Sequence, residues 1–397
     1  MNSSTELIKT GQNLMTQLQF TEAEQAFQKA LQIDSNSSTA MIWLGKVAFI
    51  KDQNEEAMKL FDRALTVQPK SAEAIAMKAL FYMKVQDFNH AVQLLEQAKS
   101  IDPKLEMIYF NLGRSYRKIG QFEKAEAALR KAIEMNPKEF QAYGELSYVL
   151  SKTHRGKEAI QAMVKAIRIN PLYLKGYLVL GRVYKNAGKG ELAIRIYRTG
   201  LKHNPNALPL REELCALYAL KLDFKRAFIQ ALEILLRRGA YEDYLRFGNV
   251  AIATGKFEVA EKTYKSAIQK NPKAWQAHYD LAELYMSMNL MDKAREHYQA
   301  AVKNNKDNFK PFNGLGYFAM MVDHNWSEAT KNFRKALEVS PKQPEPRLNM
   351  AIASAKKREF IAADRYAKEV LKLVSPDSDI FKQAEKLVKA IAKEKKK

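Results

Sequence analysis

The 397-residue chain contains a single cysteine, Cys215. This excludes an intrachain disulfide framework and any cysteine-built metal site. No run approaches the roughly 18 apolar residues of a membrane-spanning helix. The opening residues, MNSSTELIKTGQNLM, show no basic segment followed by an apolar core, so no secretory leader is expected. There is no G-x-S-x-G, no phosphate-binding loop and no H-E-x-x-H. The six histidines, His90, His154, His203, His278, His297 and His324, make no metal-ligand spacing on one helix face with one another or with the cysteine. His278 reads as a packing residue and Cys215 as a buried thiol at a small-residue position. These absences predict a protein that is not an enzyme, with no cofactor and no metal, in a reducing, cytoplasmic setting.

Negative charge is also scarce. Lys and Arg exceed Asp and Glu by 65 to 44, a net charge of +21 with a computed pI of about 9.6. The excess is uneven: residues 1–105 carry −1, residues 106–274 carry +15 and residues 275–397 carry +7. Within 174–207 there are seven basic residues and one acidic. A field of one sign on one part of a protein favours acidic partners and speeds their encounter. The hydrophobic fraction of 47% and charged fraction of 27% fit a soluble, folded helical chain.

Proline is sparse but periodic. Pro69, Pro103, Pro137, Pro171 and Pro205 each stand 34 residues apart. In residues 106–139, Tyr109, Leu112 and Tyr116 form one stripe at helical spacing, and Leu129, Ala132 and Ile133 form another. Gly120 separates them and Pro137 ends the second, because proline cannot continue a helix. The unit is therefore helix–turn–helix, with Gly113 and Ala125 small enough to let the two helices approach. The pattern Tyr109, Leu112, Gly113, Tyr116, Phe122, Ala125, Leu129, Ala132, Pro137 resembles the tetratricopeptide repeat in content and in its 34-residue period.

The resemblance covers nearly the whole chain. About eleven units are expected over 1–376, beginning almost at Met1. The weakest are 208–240, where Arg211 replaces a large apolar residue and Arg237-Arg238-Gly239 replaces the proline, and 344–376. The 208–240 unit is one residue short, and 309–343 is one residue long at the turn near Asp323-His324-Asn325. Residues 377–397 read as an amphipathic capping helix, with Ile380, Ala384, Leu387, Val388 and Ile391 on one face, followed by a basic tail. The implied fold is all-α, a right-handed solenoid.

In this family the first helix of each unit lines a concave groove. Mapped onto this chain, that implies an apolar segment of Ile42, Trp43, Phe49, Ile50, Met77, Leu80 and Met83. A basic segment follows, with Phe110, Asn111, Arg114, Arg117, Lys118, Lys152, Lys175, Arg182 and Lys185. Tyr279, Met286, Tyr317, Met320 and Met321 form an aromatic, methionine-rich one. Exposed apolar stretches and flexible methionines suit tolerant recognition. The alternative for Trp43 and Phe49 is packing between repeats, and for the cations a solvated face. Some members grip a peptide carboxylate with a Lys/Asn/Arg clamp. Asn111, Arg114, Arg117 and Lys175 are the nearest analogues, but Phe110 stands where the lysine would be, so a broader acidic-peptide groove is expected. The resemblance thus implies a scaffold or adaptor for protein partners with acidic segments. The basic pI keeps nucleic-acid binding as the alternative; a substrate-recruiting subunit of an enzyme complex and self-association also remain open.

Overall fold

The computed structural model describes residues 3–394, among which are 23 α-helices and no strand. They form two compact units, one ending at Ala207 and one beginning at Leu208. The first contains α1 Ser4–Thr16, α2 Phe20–Ile33, α3 Ser38–Ile50, α4 Asn54–Val67, α5 Ala72–Lys84, α6 Phe88–Ile101, α7 Glu106–Lys118, α8 Phe122–Met135, α9 Phe140–Lys152, α10 Gly156–Ile169, α11 Leu174–Asn186 and α12 Gly190–His203. The second contains α13 Leu208–Leu220, α14 Phe224–Arg237, α15 Tyr241–Ala253, α16 Phe257–Lys270, α17 Trp275–Ser287, α18 Met291–Asn304, α19 Phe309–Met321, α20 Trp326–Val339, α21 Pro344–Lys356, α22 Phe360–Leu373 and α23 Asp379–Glu394. The helices pair as eleven helix–turn–helix repeats plus a final single helix, an all-α solenoid. The last three residues of the terminal Lys-Glu-Lys-Lys-Lys run lie outside the described residues.

Local chemistry explains the pairing. Every turn within a repeat holds one residue in the left-handed region. Glycine fills it at Gly120, Gly188 and Gly255; elsewhere residues such as Asp52, His154 and Leu222 adopt it. Between repeats, an Asn or Asp side chain accepts a hydrogen bond from an amide two residues on, as Asn136 does from Lys138 and Asn170 from Leu172, both at 3.0 Å. Serine caps the first helices of the early repeats: Ser3 and Glu6 form a reciprocal capping box on α1. Within each repeat the two helices meet at a small residue. A Cβ at Gly181 would stand 2.1 Å from the Tyr197 ring, and one at Gly113 only 2.5 Å from Leu129 Cγ. Leu129, with the Ala125 carbonyl behind it, is thus what Gly113 makes room for.

First helices begin 34 residues apart, except for 33 between Leu208 and Tyr241 and 35 between Phe309 and Pro344. The missing residue is in the linker Arg238-Gly239-Ala240, where Gly239 takes φ +61°. Asp243 holds that linker: its buried carboxylate accepts from Arg238 Nε (2.9 Å) and Nη2 (2.6 Å) and from the Ala240 amide (3.0 Å). Burial alone would raise this carboxyl's pKa, but the Arg238 fork, the Ala240 amide and Arg246 more than offset it and hold it below the usual range. The extra residue sits in the turn 322–325. Arg211, at its apolar position, is nearly covered and lies 3.5 Å from Glu233. Cys215 is buried, its thiol pKa raised by burial. At the C-terminal end α23 buries Ala384 and Ile391, with Ala384 against Leu348 and Val370, as a capping helix should.

Candidate functional site

A concavity of the first unit lies among α7, α9, α10 and α11, with a volume of about 360 Å³. Its origin is a local shortage of side-chain bulk. Gly144, Ser147 and Ser151 on α9 and Gly156 and Ala159 on α10 face the space, and Ile160, Met163, Val179, Leu180 and Val183 form its apolar wall. The Ser147 hydroxyl is turned away from the space by donating to the Ala159 carbonyl at 2.7 Å. Gly144 cannot grow: a Cβ there would lie 2.6 Å from the Tyr173 hydroxyl, whose ring packs edge-on against Phe140.

The mouth is charged. Arg117 from α7 and Lys175 from α11 flank Glu145, with Arg117 Nε 2.5 Å from Glu145 Oε2 and Lys175 Nζ 3.8 Å from Oε1. Tyr148, 42% exposed, lies under the Arg117 guanidinium at 4.9 Å and the Lys152 ammonium at 5.6 Å. Such cation–π contacts hold long side chains along the groove wall. Arg114 is exposed over Phe110 at 5.5 Å, and Lys118 over Phe88 at 5.5 Å. Arg182 is exposed and Lys185 half-buried on α11. Of the expected basic residues, Arg117 and Lys175 line this apolar pocket and Lys152 lies over its Tyr148, whereas Arg114 and Lys118 lie over Phe110 and Phe88, which do not line it; the lining residues Glu145, Tyr148, Val179 and Val183 were missed by sequence reasoning. The signal available was the run of small residues Gly144, Ser147, Ser151 and Gly156.

Several expected groove residues are in the core instead. Ile42 is buried against Met41, Ala64 and Ala74, and Met77 against Ala48 and Phe61. Both sit where the neighbouring repeat closes over them. Asn111 is buried, with its amide donating to the Met107 carbonyl at 2.8 Å, so it satisfies its own helix and offers no clamp. Met83 and Met320 are also buried. Trp43 is half-buried, stacked 6.0 Å from Phe27 with Lys46 3.8 Å above its ring. Phe49 and Leu80 are half-buried too, while Ile50 is 51% exposed.

In the second unit Tyr279 is packed against Trp275 and Tyr298 and half-buried; Met286 is also half-buried, and Tyr317 and Met321 remain exposed. Beside them Asp280 is largely covered. Burial, with Glu283 adding to it and Lys310 opposing, raises its carboxyl to about 6. His278 and His297 meet across α17 and α18, Nδ1 to Nδ1 at 2.9 Å, and burial lowers both pKa values. Their contact is between helices, so no spacing along one helix could reveal it. Among the described residues no group of three His, Cys, Asp or Glu could hold a metal ion, and no helix is long and apolar enough to cross a membrane.

Comparison with known proteins agrees with this architecture. The family model described as the cilia and flagella-associated protein 70 C-terminal domain matches residues 14–231, more than half of the chain. The chain belongs to this tetratricopeptide-repeat family. A general tetratricopeptide-repeat model matches residues 245–309. Human protein O-mannosyl-transferase TMTC3 is 27% identical over 135 residues, 34% of this chain but 15% of that protein, so the repeat chain spans a small part of that relative. Yeast Tom70 overlaps 99% of this chain and 96% of its own at 15% identity and a TM-score of 0.49. PilW, a type IV pilus biogenesis factor, covers 54% of this chain and 97% of its own at 20% identity and a TM-score of 0.48. Neither structure is near enough to argue from.

Proposed function

We propose that this tetratricopeptide-repeat chain is a non-enzymatic scaffold that seats an acidic partner segment on the α7–α9–α11 face of its first unit. The observation that carries the reading is the apolar pocket of about 360 Å³ with Arg117, Lys175 and Glu145 at its mouth and Lys152 over the adjoining Tyr148. An apolar side chain of the partner would fill the space beside Ser147, Ser151 and Gly156. Carboxylates flanking it would meet Arg114, Lys118, Lys152 and Arg182. Glu145 already occupies Arg117 and Lys175, so those two hold the pocket mouth in shape, and the outer cations select charge. Rim charges of this kind act mainly on association rate and specificity. The family's cilia- and flagella-associated member makes a ciliary or flagellar assembly the first place to look for the partner.

The test is a tagged pull-down from native extract, comparing wild type with Arg114→Glu/Lys152→Glu/Arg182→Glu at low and moderate salt, with and without nuclease. Proteins retained by the wild type and lost by the variant, with nuclease irrelevant, support the reading. Capture that nuclease removes replaces it with nucleic-acid binding, and identical protein capture by both reduces the cations to a solvated face.

A further inference from the structure

A second groove, of about 460 Å³, lies where α6 and α8 pack on α7. Glu96 and Lys99 of α6, Tyr116 of α7, and Lys124, Ala127 and Lys131 of α8 line it. It shares no lining residue with the pocket among α7, α9, α10 and α11. Two departures from the repeat converge on it. Lys99 is the twelfth residue of α6, and in all ten other second helices that position holds Leu, Ile or Val, as in Leu65 and Ile133. Ala127 is the sixth residue of α8, and elsewhere that position holds Gln, Lys, Arg, Glu or Ile, as in Gln93 and Gln161. The first departure puts an ammonium on an aliphatic stem where an aliphatic side chain normally packs. The second removes a long side chain from the facing wall.

We propose that this groove binds a phosphorylated side chain of a protein segment, with Lys99, Lys124 and Lys131 as its cations. The lining carries three ammonium groups and one carboxylate, a net +2. That matches a phosphomonoester, at about −1.5 to −2, better than a single carboxylate. All three cations are lysines, which meet phosphate as mobile point charges. In the free chain Lys99 is held by Glu96, three residues before it, and Lys131 by Glu134 at 2.8 Å. Both are partly exposed pairs within one helix, weak enough for an incoming dianion to displace. Glu96 keeps a partner when Lys99 turns away, because it accepts from the Tyr116 hydroxyl at 2.8 Å. Lys124 lies over the Tyr116 ring at 5.5 Å. Lys124 and Ala127 are exposed, so the groove is open. An open groove suits a side chain presented by a passing segment; a small metabolite needs a site that envelops it. The inference goes beyond the α7–α9–α11 reading and stands on different residues.

The test is a phosphorus NMR titration of the full chain with a short peptide of alanines around one phosphoserine. A saturable complex with a Kd on the order of 1 mM is expected for a contact of this size. Lys99→Leu and Ala127→Gln install what neighbouring repeats carry and so keep the fold, as circular dichroism would check. Each should weaken binding at least about fivefold, Ala127→Gln without changing net charge. Lys70→Ala, which removes an exposed loop lysine outside the groove, should change it by less than about twofold. Glu96→Gln, which releases Lys99, should tighten it about threefold. Four results would each overturn the proposal: no saturable complex; wild-type affinity in both Lys99→Leu and Ala127→Gln; a glutamate peptide that binds as tightly as the phosphoserine one; or displacement of the peptide by an equal concentration of inorganic phosphate. The peptide is defined, so losing or keeping the pull-down partner has no bearing on this outcome.

Discussion

The α7–α11 face of the first unit and the α15–α19 face of the second are built on the same repeat and filled in opposite ways. Where the first has Met163, the second has Tyr298 at the equivalent position. Ser147, Ser151 and Gly156 line an open pocket in the first. In the second, Tyr264, Tyr285 and Tyr298 fill the space between helices and close their hydroxyls on Asn249 (2.5 Å), Glu261 (2.9 Å) and Glu283 (2.6 Å). The backbone template therefore does not decide whether a groove is open. A few positions do, and an aromatic-rich stretch can be a plug as readily as a binding surface.

The sharpest way to break the contrast is to empty the filled face. Tyr298 is 1% exposed and its hydroxyl donates to Glu283. Tyr298→Ala should destabilise the second unit by about 3–5 kcal/mol, the usual range for an aromatic deleted from a core. Tyr148→Ala, on the open face, should stay within about 1 kcal/mol because that ring already faces solvent. Repeat arrays unfold region by region, so hydrogen exchange read segment by segment is the right measurement. Equal loss of protection around both sites would show that the two faces are packed alike.

What was legible in the sequence follows the same division. Periodic proline, the small residue at Gly113, Gly181 and their equivalents, and αL-prone turn residues all act within one repeat. Pairing and repeat number could therefore be read directly, and the 33- and 35-residue intervals fall at Arg237-Arg238-Gly239 and Asp323-His324-Asn325. Groove exposure was not legible, because it depends on the next repeat. Ile42, Met77 and Asn111 occupy groove-facing template positions, yet neighbouring helices cover them. The pocket was hard to see because it is lined by small residues at Ser147, Ser151 and Gly156 rather than by a conspicuous side chain. The His278–His297 contact and the covering of Asp280 arise only when α17 and α18 pack.

A smaller effect comes from the charge trapped in the filled face. The Asp280 carboxyl, raised to about 6, binds its proton more readily folded than unfolded. Wild-type stability should therefore fall as pH rises from about 4 to about 6, the window between the ordinary and the raised value. Asp280→Asn removes that loss and should stabilise the second unit by about 1–3 kcal/mol at neutral pH, with the gain vanishing near pH 4. The histidine pair works in the other direction. Its lowered pKa values mean the unfolded chain takes protons first, so stability drops on acidification below about 6.5. In the Asp280→Asn background that acid-side loss should be exposed between about pH 6.5 and 5, above the range in which Asp243 and Glu261 begin to lose their stabilisation, and His278→Gln should flatten it there. Thermal melts across pH 4–8 check both, and an unchanged pH profile in Asp280→Asn would mean the carboxyl is solvated.

The smallest structural change should give the most specific functional one. Gly156 is the first residue of α10, lines the pocket, and has no atom within 4 Å of where a Cβ would stand. Unlike Gly188, it does not need a left-handed conformation. The first atom of a side chain there meets nothing, and exchanging glycine for a better helix former in Gly156→Leu should leave stability unchanged or raise it by up to about 1 kcal/mol. Because Gly156 lines the pocket, the added side chain is expected to narrow it and compete with the partner's apolar anchor. Affinity for the captured partner should fall at least about tenfold, roughly 1.4 kcal/mol, with the salt dependence left intact because the rim cations are untouched. The rim variant should do the reverse, flattening the salt dependence while the pocket stays open. If Gly156→Leu binds as the wild type does while the rim variant does not, recognition runs on charge alone and the open face differs from the filled one only in packing.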